Sequence, residues 1–274
     1  MEFLQLDAKS WIGLVGAALV VGLTKAGFGA GAGILSVPLM LLVVSDPRDM
    51  LVVMLPLLIC GDVFSFIHYP KQVDRRNLKL LVPSCVLGVF LGMFVLRALE
   101  QSGSDKAIRA AMLVLIGGMC LLFLAMQVWR YFRESRLTER PGPWRPKLVH
   151  GLGLGAAAGL TSTLGHVGGP LITLFLIPQK LDKRVFVGTS VAYFFFGNTV
   201  KIVPYAVLGY WTAPRFWTAA VLMPAVVAGT LIGVWLHRKF TGRGFVLFIY
   251  VCTLATLLKV IWDGVAQARA SIGG

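Results

Sequence analysis

The sequence predicts an all-α polytopic membrane protein with two inverted-topology repeats, each made of a broken or re-entrant short helix pair and three transmembrane helices. Hydrophobic residues make up 57% of the 274-residue chain and charged residues only 14%, with a mean hydropathy of +0.79. Several apolar runs reach about 18 residues, a length that favours a membrane helix over a helix of a soluble core. Two short and three long apolar segments follow one another in the same order twice.

Each half begins with two segments that are shorter than the roughly 20 residues of a comfortable membrane crossing. The short segments are about 10–24 and 28–44 in the first half, and about 148–162 and 166–178 in the second. The long segments are about 50–69, 78–97 and 107–130, and then 185–209, 214–237 and 243–263. The chain therefore divides into a first transmembrane repeat at 1–130, a polar linker at 131–147 and a second repeat at 148–274.

Matching residues in the two halves indicate a duplication. Gly61, Asp62 and Tyr69 recur in the same order as Gly197, Asn198 and Tyr205. Pro83, Gly88 and Gly92 recur in the same order as Pro224, Gly229 and Gly233. Single matches arise by coincidence in a glycine-rich chain, but the shared order of all of them favours a repeat.

Basic residues in short loops predict the orientation of the chain, because such loops remain in the cytoplasm. The linker and its neighbour carry Arg130, Arg133, Arg136, Arg140, Arg145 and Lys147. Placing them in the cytoplasm puts both termini outside and gives the two halves opposite orientations. A short pair that turns back and one that crosses twice give the same sidedness, so both arrangements stay open.

The net charge of +14 does not indicate a nucleic-acid partner, because the basic residues lie in short loops where they orient the chain and contact lipid headgroups. The four cysteines lie singly within apolar segments, and we expect neither a disulfide nor a metal site. The sequence contains no P-loop, HExxH or CxxC motif. We therefore expect no cofactor and no enzyme activity.

A glycine-rich break separates the two helices of each short pair. The first runs from Gly22 to Gly33 and the second from Gly159 to Pro170. A helix broken within a membrane must face protein or a watery cavity, and the helix after the break presents free N–H groups that attract an anion. Two oppositely oriented breaks would meet near the midplane around one small oxyanion. The alternative is that the glycines allow close helix packing.

The breaks supply the candidate substrate-binding residues, and a buried lysine and a histidine are the most informative of them. These candidates are Thr24, Lys25, Gly27, Gly29, Gly31, Thr161, Ser162, Thr163, His166, Gly168 and Gly169. A lysine far from either membrane surface needs a partner, and for Lys25 an anion or Asp62 would serve. His166 could donate a hydrogen bond or relay a proton. The hydroxyl groups could instead cap the broken helix ends.

Three further polar residues are candidates for coupling or charge pairing. Asp62 and Asn198 are equivalent in the repeat, and Lys201 lies one helical turn after Asn198 on the same face. Asp62 could pair with Lys25 or Lys201, or bind a coupling proton, and simple neutralisation is the alternative. Outside this set, we expect His68, Tyr69 and Tyr205 at the membrane interface and the aromatic run 193–196 in lipid contact or packing.

The segment Gly22 to Pro38 resembles the glycine-rich first motif of the sulfite exporter TauE/SafE family, and Gly159 to Pro170 fits that family's duplicated plan. The similarity covers essentially the whole chain. It implies a secondary transporter of sulfite, sulfoacetate or other organosulfonates in a bacterial inner membrane. Its expected partners are a small anionic substrate and the lipid bilayer. Alternating access around a midplane site is the expected mechanism.

The cytoplasm-negative potential favours export of an anion by about 2.3 kcal/mol per charge per 100 mV. The sequence leaves open an anion channel, an uptake permease for another small organic anion, and a membrane-embedded enzyme or assembly subunit. A homodimer is among the assemblies that it allows.

Overall fold

A computed structural model describes residues 3–4, 6–27, 35–44, 46–68, 72–136, 144–239 and 243–272 of the chain. Within these residues the secondary structure is helical, without strands. The first half contains α1 (Ala8–Gly27), α2 (Ser36–Val43), α3 (Pro47–His68), α4 (Arg75–Glu100) and α5 (Asp105–Arg136). The second half contains α6 (Leu148–Gly165), α7 (Gly169–Leu176), a 3₁₀ turn (Ile177–Gln179), α8 (Lys183–Val207), α9 (Ala213–Lys239) and α10 (Arg243–Ile272).

Six helices of the described chain are long and apolar enough to cross a membrane, which confirms the prediction of a multi-pass all-α protein. They are α1, α3, α4, α5, α8 and α9. Five helices follow one another in each half, within the described residues, but the first helix of each predicted short pair is longer than expected: α1 has 20 residues and α6 has 18, whereas α2 and α7 have eight each. Helix α1 is longer than its predicted segment, because it begins at Ala8 and continues beyond Lys25, and its 20 residues match the length of a crossing.

The most extensive helix pairs join opposite halves of the sequence. Helix α4 packs along α6, α1 packs along α9, and α5 packs along α10. Helix α3 packs against α8 and α9, and α8 also contacts α4. A large apolar core involves α1, α2, α3, α5 and α9, and a smaller one lies among α4, α6, α7 and α8. The first and second halves are therefore interleaved rather than placed side by side.

Glycines let the backbones touch where two of these pairs cross. A Cβ atom at Gly229 of α9 would collide with the Leu19 carbonyl of α1, and one at Gly88 of α4 would collide with the Ala156 carbonyl of α6. Small residues allow this close approach of membrane helices. The two contacts involve residues at corresponding positions of the two halves, so the α1–α9 and α4–α6 pairs are built alike.

An ionic cluster joins four chain segments at the end of α5 that lies away from the linker. Arg48 donates two hydrogen bonds of 2.7 Å to Glu100 and one of 2.6 Å to Asp105. Arg215 contacts Asp49 at 2.5 Å. Tyr210, in the connection between α8 and α9, donates to Glu100 at 2.6 Å. Burial and the bond to Glu100 raise the pKa of the Tyr210 phenol above its usual value.

We expect Gly229→Ala to lower the unfolding temperature of the detergent-solubilised protein by several degrees, since overpacking costs about 1–3 kcal/mol. The added methyl group would meet the Leu19 backbone, which cannot turn aside as a flexible side chain could. Gly118→Ala in α5 is the matched control, because its Cβ would enter open space. Equal unfolding temperatures for the two variants would contradict the proposed close contact between α1 and α9.

Candidate functional site

A cavity of about 60 Å³ lies among α1, α3, α8 and the α6–α7 break. About 10–15 Å³ of such volume holds one water molecule, so the cavity has room for several waters or a small anion. Polar side chains on its wall include Lys25, Asp62, Ser162, His166 and Asn198, together with the hydroxyl groups of Thr24, Ser36 and Ser190. Apolar side chains complete the wall, namely Met54, Leu58, Val167, Val187, Val191 and Phe194. The cavity thus combines a few polar groups with a largely apolar lining.

Lys25 and Asp62 form an ion pair on the cavity wall. The Lys25 Nζ atom lies 2.5 Å from Asp62 Oδ1, and Asn198 donates its side-chain N–H to Asp62 Oδ2 at 2.7 Å. The Asp62 side chain is fully buried, whereas that of Lys25 is 14% exposed. Both carboxylate oxygens therefore have a donor, as a buried charge requires. The pair links α1, α3 and α8.

Lys201 lies behind the cavity wall and is fully buried. Its Nζ atom donates to the Ser162 hydroxyl at 3.0 Å and to the Ser162 carbonyl at 3.2 Å. The same atom lies 2.8 Å from His166 Nδ1. An ammonium group has three donors, and these three acceptors match them in number. Each of the three acceptors is uncharged when His166 is neutral, so they solvate the ammonium without cancelling its charge.

The contacts of His166 assign its tautomer. Nε2 lies 2.9 Å from the carbonyl oxygen of Leu51. A carbonyl oxygen can only accept, so Nε2 carries a proton and Nδ1 is free to accept from Lys201. Both ring nitrogens are consequently occupied by protein partners. The imidazole orients Lys201 and fixes the break against α3, while its edge lines the cavity.

The backbone at His166 explains why α6 ends there. His166 is in the left-handed region, with φ 56° and ψ 24°, and its N–H donates to the Ser162 carbonyl at 2.9 Å. Glycine is the usual residue at such a helix end, and a side chain there is strained. Helix α7 then starts at Gly169 and Pro170, which line the cavity, and Ser36 at the start of α2 lines it too. The second helix of each short pair thus begins at the site.

The formal charges of the site do not cancel. When both lysines are protonated and Asp62 is ionised, Lys25 and Lys201 contribute two positive charges and Asp62 one negative charge, and His166 is neutral in the assigned tautomer. Asp62 is the carboxylate on the part of the wall that the structure describes. One positive charge is therefore in excess in an apolar setting, which is costly without a counter-ion. An anion in the cavity would offset it.

The structure brings most, but not all, of the predicted site residues together. Thr24, Lys25, Asp62, Ser162, His166, Gly169 and Asn198 line the cavity. The Thr161 and Thr163 hydroxyl groups instead donate to Ala157 and Gly159 within α6, and Gly168 packs against Ala158. Gly27 ends α1, and Gly29 and Gly31 lie outside the described residues.

The Thr24 hydroxyl lines the cavity but is already engaged within its own helix. It donates to the carbonyl oxygens of Val20 and Val21 at 2.9 and 3.1 Å. Such backbone bonding is common for threonine in helices and leaves the oxygen able to accept. The Thr24 hydroxyl group therefore serves the backbone at the end of its own helix and is not a dedicated donor to an anion.

Phe194 and Ser190 are among the cavity residues that the sequence did not indicate. Phe194, interpreted as lipid contact or packing, lines the cavity, and Lys25 Nζ lies 5.2 Å from its ring centroid. Ser190 also lines the cavity. Both could have been found by following the face of Asn198 upstream, because Ser190, Phe194 and Asn198 are spaced four residues apart on α8.

The interface prediction for Tyr205 was wrong. Tyr205 is fully buried and donates to the Thr163 carbonyl at 2.8 Å. Its phenol satisfies a backbone group close to the α6–α7 break, where an unpaired carbonyl would be costly. The His68 side chain and Tyr69 lie outside the described parts of the chain. Among the residues that are described, no cluster of three His, Cys, Asp or Glu side chains could hold a metal ion.

We expect Asp62→Ala to destabilise the protein by about 3–5 kcal/mol, because it leaves the Lys25 ammonium without its partner. The double variant Lys25→Met/Asp62→Ala should lose less stability than the sum of its single variants, since it removes both charges. Unfolding free energies in detergent, combined in a double-mutant cycle, measure this coupling. Strictly additive losses would show that the pair contributes no interaction energy.

A family model described as Sulfite exporter TauE/SafE matches residues 14–260. The match extends from within α1 to within α10 and includes both short helix pairs and the cavity. No curated protein and no solved structure matches the chain. The family match covers most of the chain, and the resemblance seen in the glycine-rich motifs is thereby confirmed. The chain belongs to the TauE/SafE family.

Proposed function

We propose that this member of the TauE/SafE family is a secondary transporter that exports small sulfur-containing anions, such as sulfite, sulfoacetate or other organosulfonates. It would act by alternating access around the cavity between α1, α3, α8 and the α6–α7 break. One observation carries the proposal: the described part of the site brings together two lysines and one aspartate, which leaves one positive charge in excess when all three are ionised. A permeating anion supplies the missing counter-charge.

The distribution of donors supports an anion rather than a neutral or cationic substrate. Among the described residues, the Lys25 ammonium has one hydrogen-bond acceptor, Asp62, and two of its three donors remain for a ligand. The starts of α2 and α7 also face the cavity and favour negative charge. When protonated, Lys201 adds a positive charge whose contacts, in the described part of the chain, are the uncharged Ser162 and His166. These features act together on a group placed beside Lys25.

The arrangement of the two halves supports alternating access. The α1–α9 and α4–α6 pairs involve corresponding elements of the two halves and corresponding glycine contacts. We propose that they derive from inverted-topology repeats and that each pair moves as a unit, because its backbones are in direct contact. The cavity lies between α1 and α6, so relative motion of the two pairs would change which side of the cavity is open.

The electrical potential favours the proposed direction of transport. In a bacterial inner membrane with the linker in the cytoplasm, outward movement of an anion is favoured by about 2.3 kcal/mol per charge per 100 mV. Export of a monoanion therefore needs no coupled cation. The ionic cluster around Arg48 and Glu100 would then lie on the outer side, at the end of α5 away from the linker.

Counterflow in proteoliposomes tests this proposal. Vesicles loaded with unlabelled sulfite should accumulate external radiolabelled sulfite. Lys201→Gln should reduce the initial rate at least tenfold, because the substitution removes the excess positive charge that attracts the anion to the site. A tenfold change corresponds to about 1.4 kcal/mol, a modest share of the energy of a buried charge. Lys25→Gln should also slow exchange by removing a direct contact.

Lys259→Gln is the matched control, since Lys259 is exposed on α10 and pairs with Asp263. It should leave the rate unchanged. Size-exclusion profiles and unfolding temperatures establish that the variants fold. Absence of exchange by the wild-type protein would overturn the assignment as a transporter of sulfite, and a non-saturating current would make the protein a channel. Normal exchange by Lys201→Gln and Lys25→Gln would overturn the site.

A further inference from the structure

We infer that the Ser190 hydroxyl is a direct contact for the transported anion and that it favours three-oxygen head groups over carboxylates. This inference rests on the proposed function. Ser190 lies on α8, lines the cavity and is 3% exposed. Its Oγ atom has no hydrogen-bond partner within the described part of the chain. A buried hydroxyl group without a protein partner is rare, and on a cavity wall such a group is available to a ligand.

The behaviour of neighbouring hydroxyl groups makes Ser190 exceptional. Within a helix, a serine or threonine usually donates to the carbonyl four residues earlier. Thr189 does so to Val185 at 2.6 Å, and Thr199 does so to Phe195 at 2.8 Å, both on α8. Ser190 makes no such bond. Its donor is therefore available to a ligand in the cavity.

Ser190 lies on the face of α8 that is next to Lys25 and Asp62, the charged residues of the cavity wall. Ser190, Phe194 and Asn198 occupy successive turns of one helix face and all line the cavity. The Lys25 ammonium lies over the Phe194 ring, and Asn198 contacts the carboxylate that pairs with Lys25. An anion that accepts from Lys25 therefore lies beside the same face of α8 that carries Ser190.

The number of free donors indicates the kind of head group. Lys25 offers two donors beyond its bond to Asp62, and Ser190 offers a third. A sulfite or sulfonate group has three oxygens in a pyramid and can accept from all three donors. A planar carboxylate has only two oxygens, so a carboxylate bound to Lys25 through both of them presents no third oxygen to Ser190. Removal of the Ser190 hydroxyl should therefore weaken binding of sulfonates more than binding of carboxylates.

Calorimetric titration of the purified protein with methanesulfonate and with acetate tests the inference. Ser190→Ala should raise the Kd for methanesulfonate about tenfold or more, as expected for a hydrogen bond to a charged group, and change the Kd for acetate less than about twofold. Ser65→Ala is the matched control. Ser65 is also fully buried without a partner in the described structure, but it does not line the cavity. It should leave both Kd values unchanged.

The outcomes separate this inference from the proposed function. Wild-type protein that binds neither ligand would overturn both. Normal methanesulfonate binding by Ser190→Ala, or an equal loss for both ligands, would overturn only the role of Ser190. Ser190→Thr keeps a hydroxyl group and should keep the preference for methanesulfonate. Loss of the preference in that variant would assign the effect to side-chain size, against the inference.

Discussion

Ionised side chains are costly to hold away from water, and this cost organises the centre of the molecule. Lys25 and Asp62 satisfy each other across α1 and α3, and Asn198 of α8 completes the carboxylate's contacts. Lys201 reaches back from α8 to the end of α6. Each of these ionisable groups thus takes hydrogen-bond partners from another helix, so the polar contacts that make burial tolerable also fix the helices around the cavity.

The glycines serve two physical purposes that the sequence alone does not separate. Those at the helix crossings, such as Gly88 and Gly229, allow backbone contact between α4 and α6 and between α1 and α9. Gly169 instead begins α7 at the cavity, after a break that ends α6 at His166. Glycines that allow close helix packing and a glycine that begins a helix at the cavity therefore occur in the same part of the fold. Helix α1, which packs along α9, carries Lys25 to the cavity, and α6, which packs along α4, ends there at His166.

Much of the helix order could be predicted, because apolar length and charged punctuation are local properties of a membrane chain. The inverted repeat remains a prediction. The pairing of Lys25 with Asp62 was one of two arrangements that the sequence allowed. The roles of His166, Phe194 and Ser190 depend on which helix faces meet and on side-chain directions, which no single segment encodes. Tyr205 was misplaced for the same reason: an aromatic near a helix end is typical of the interface, but its partner is a carbonyl on another helix.

The interleaving of the two halves has a consequence for biosynthesis. Helix α1 leaves the ribosome first, yet the backbone against which it packs belongs to α9, near the end of the chain. Lys25 of α1 gains its ion-pair partner much earlier, because Asp62 lies on α3. The nascent N-terminal half can therefore neutralise its charge in the membrane while the groove beside Gly22 stays open. The native packing of α1 is therefore completed only after α9 has been synthesised. A chain truncated before α9 lacks the surface against which α1 packs.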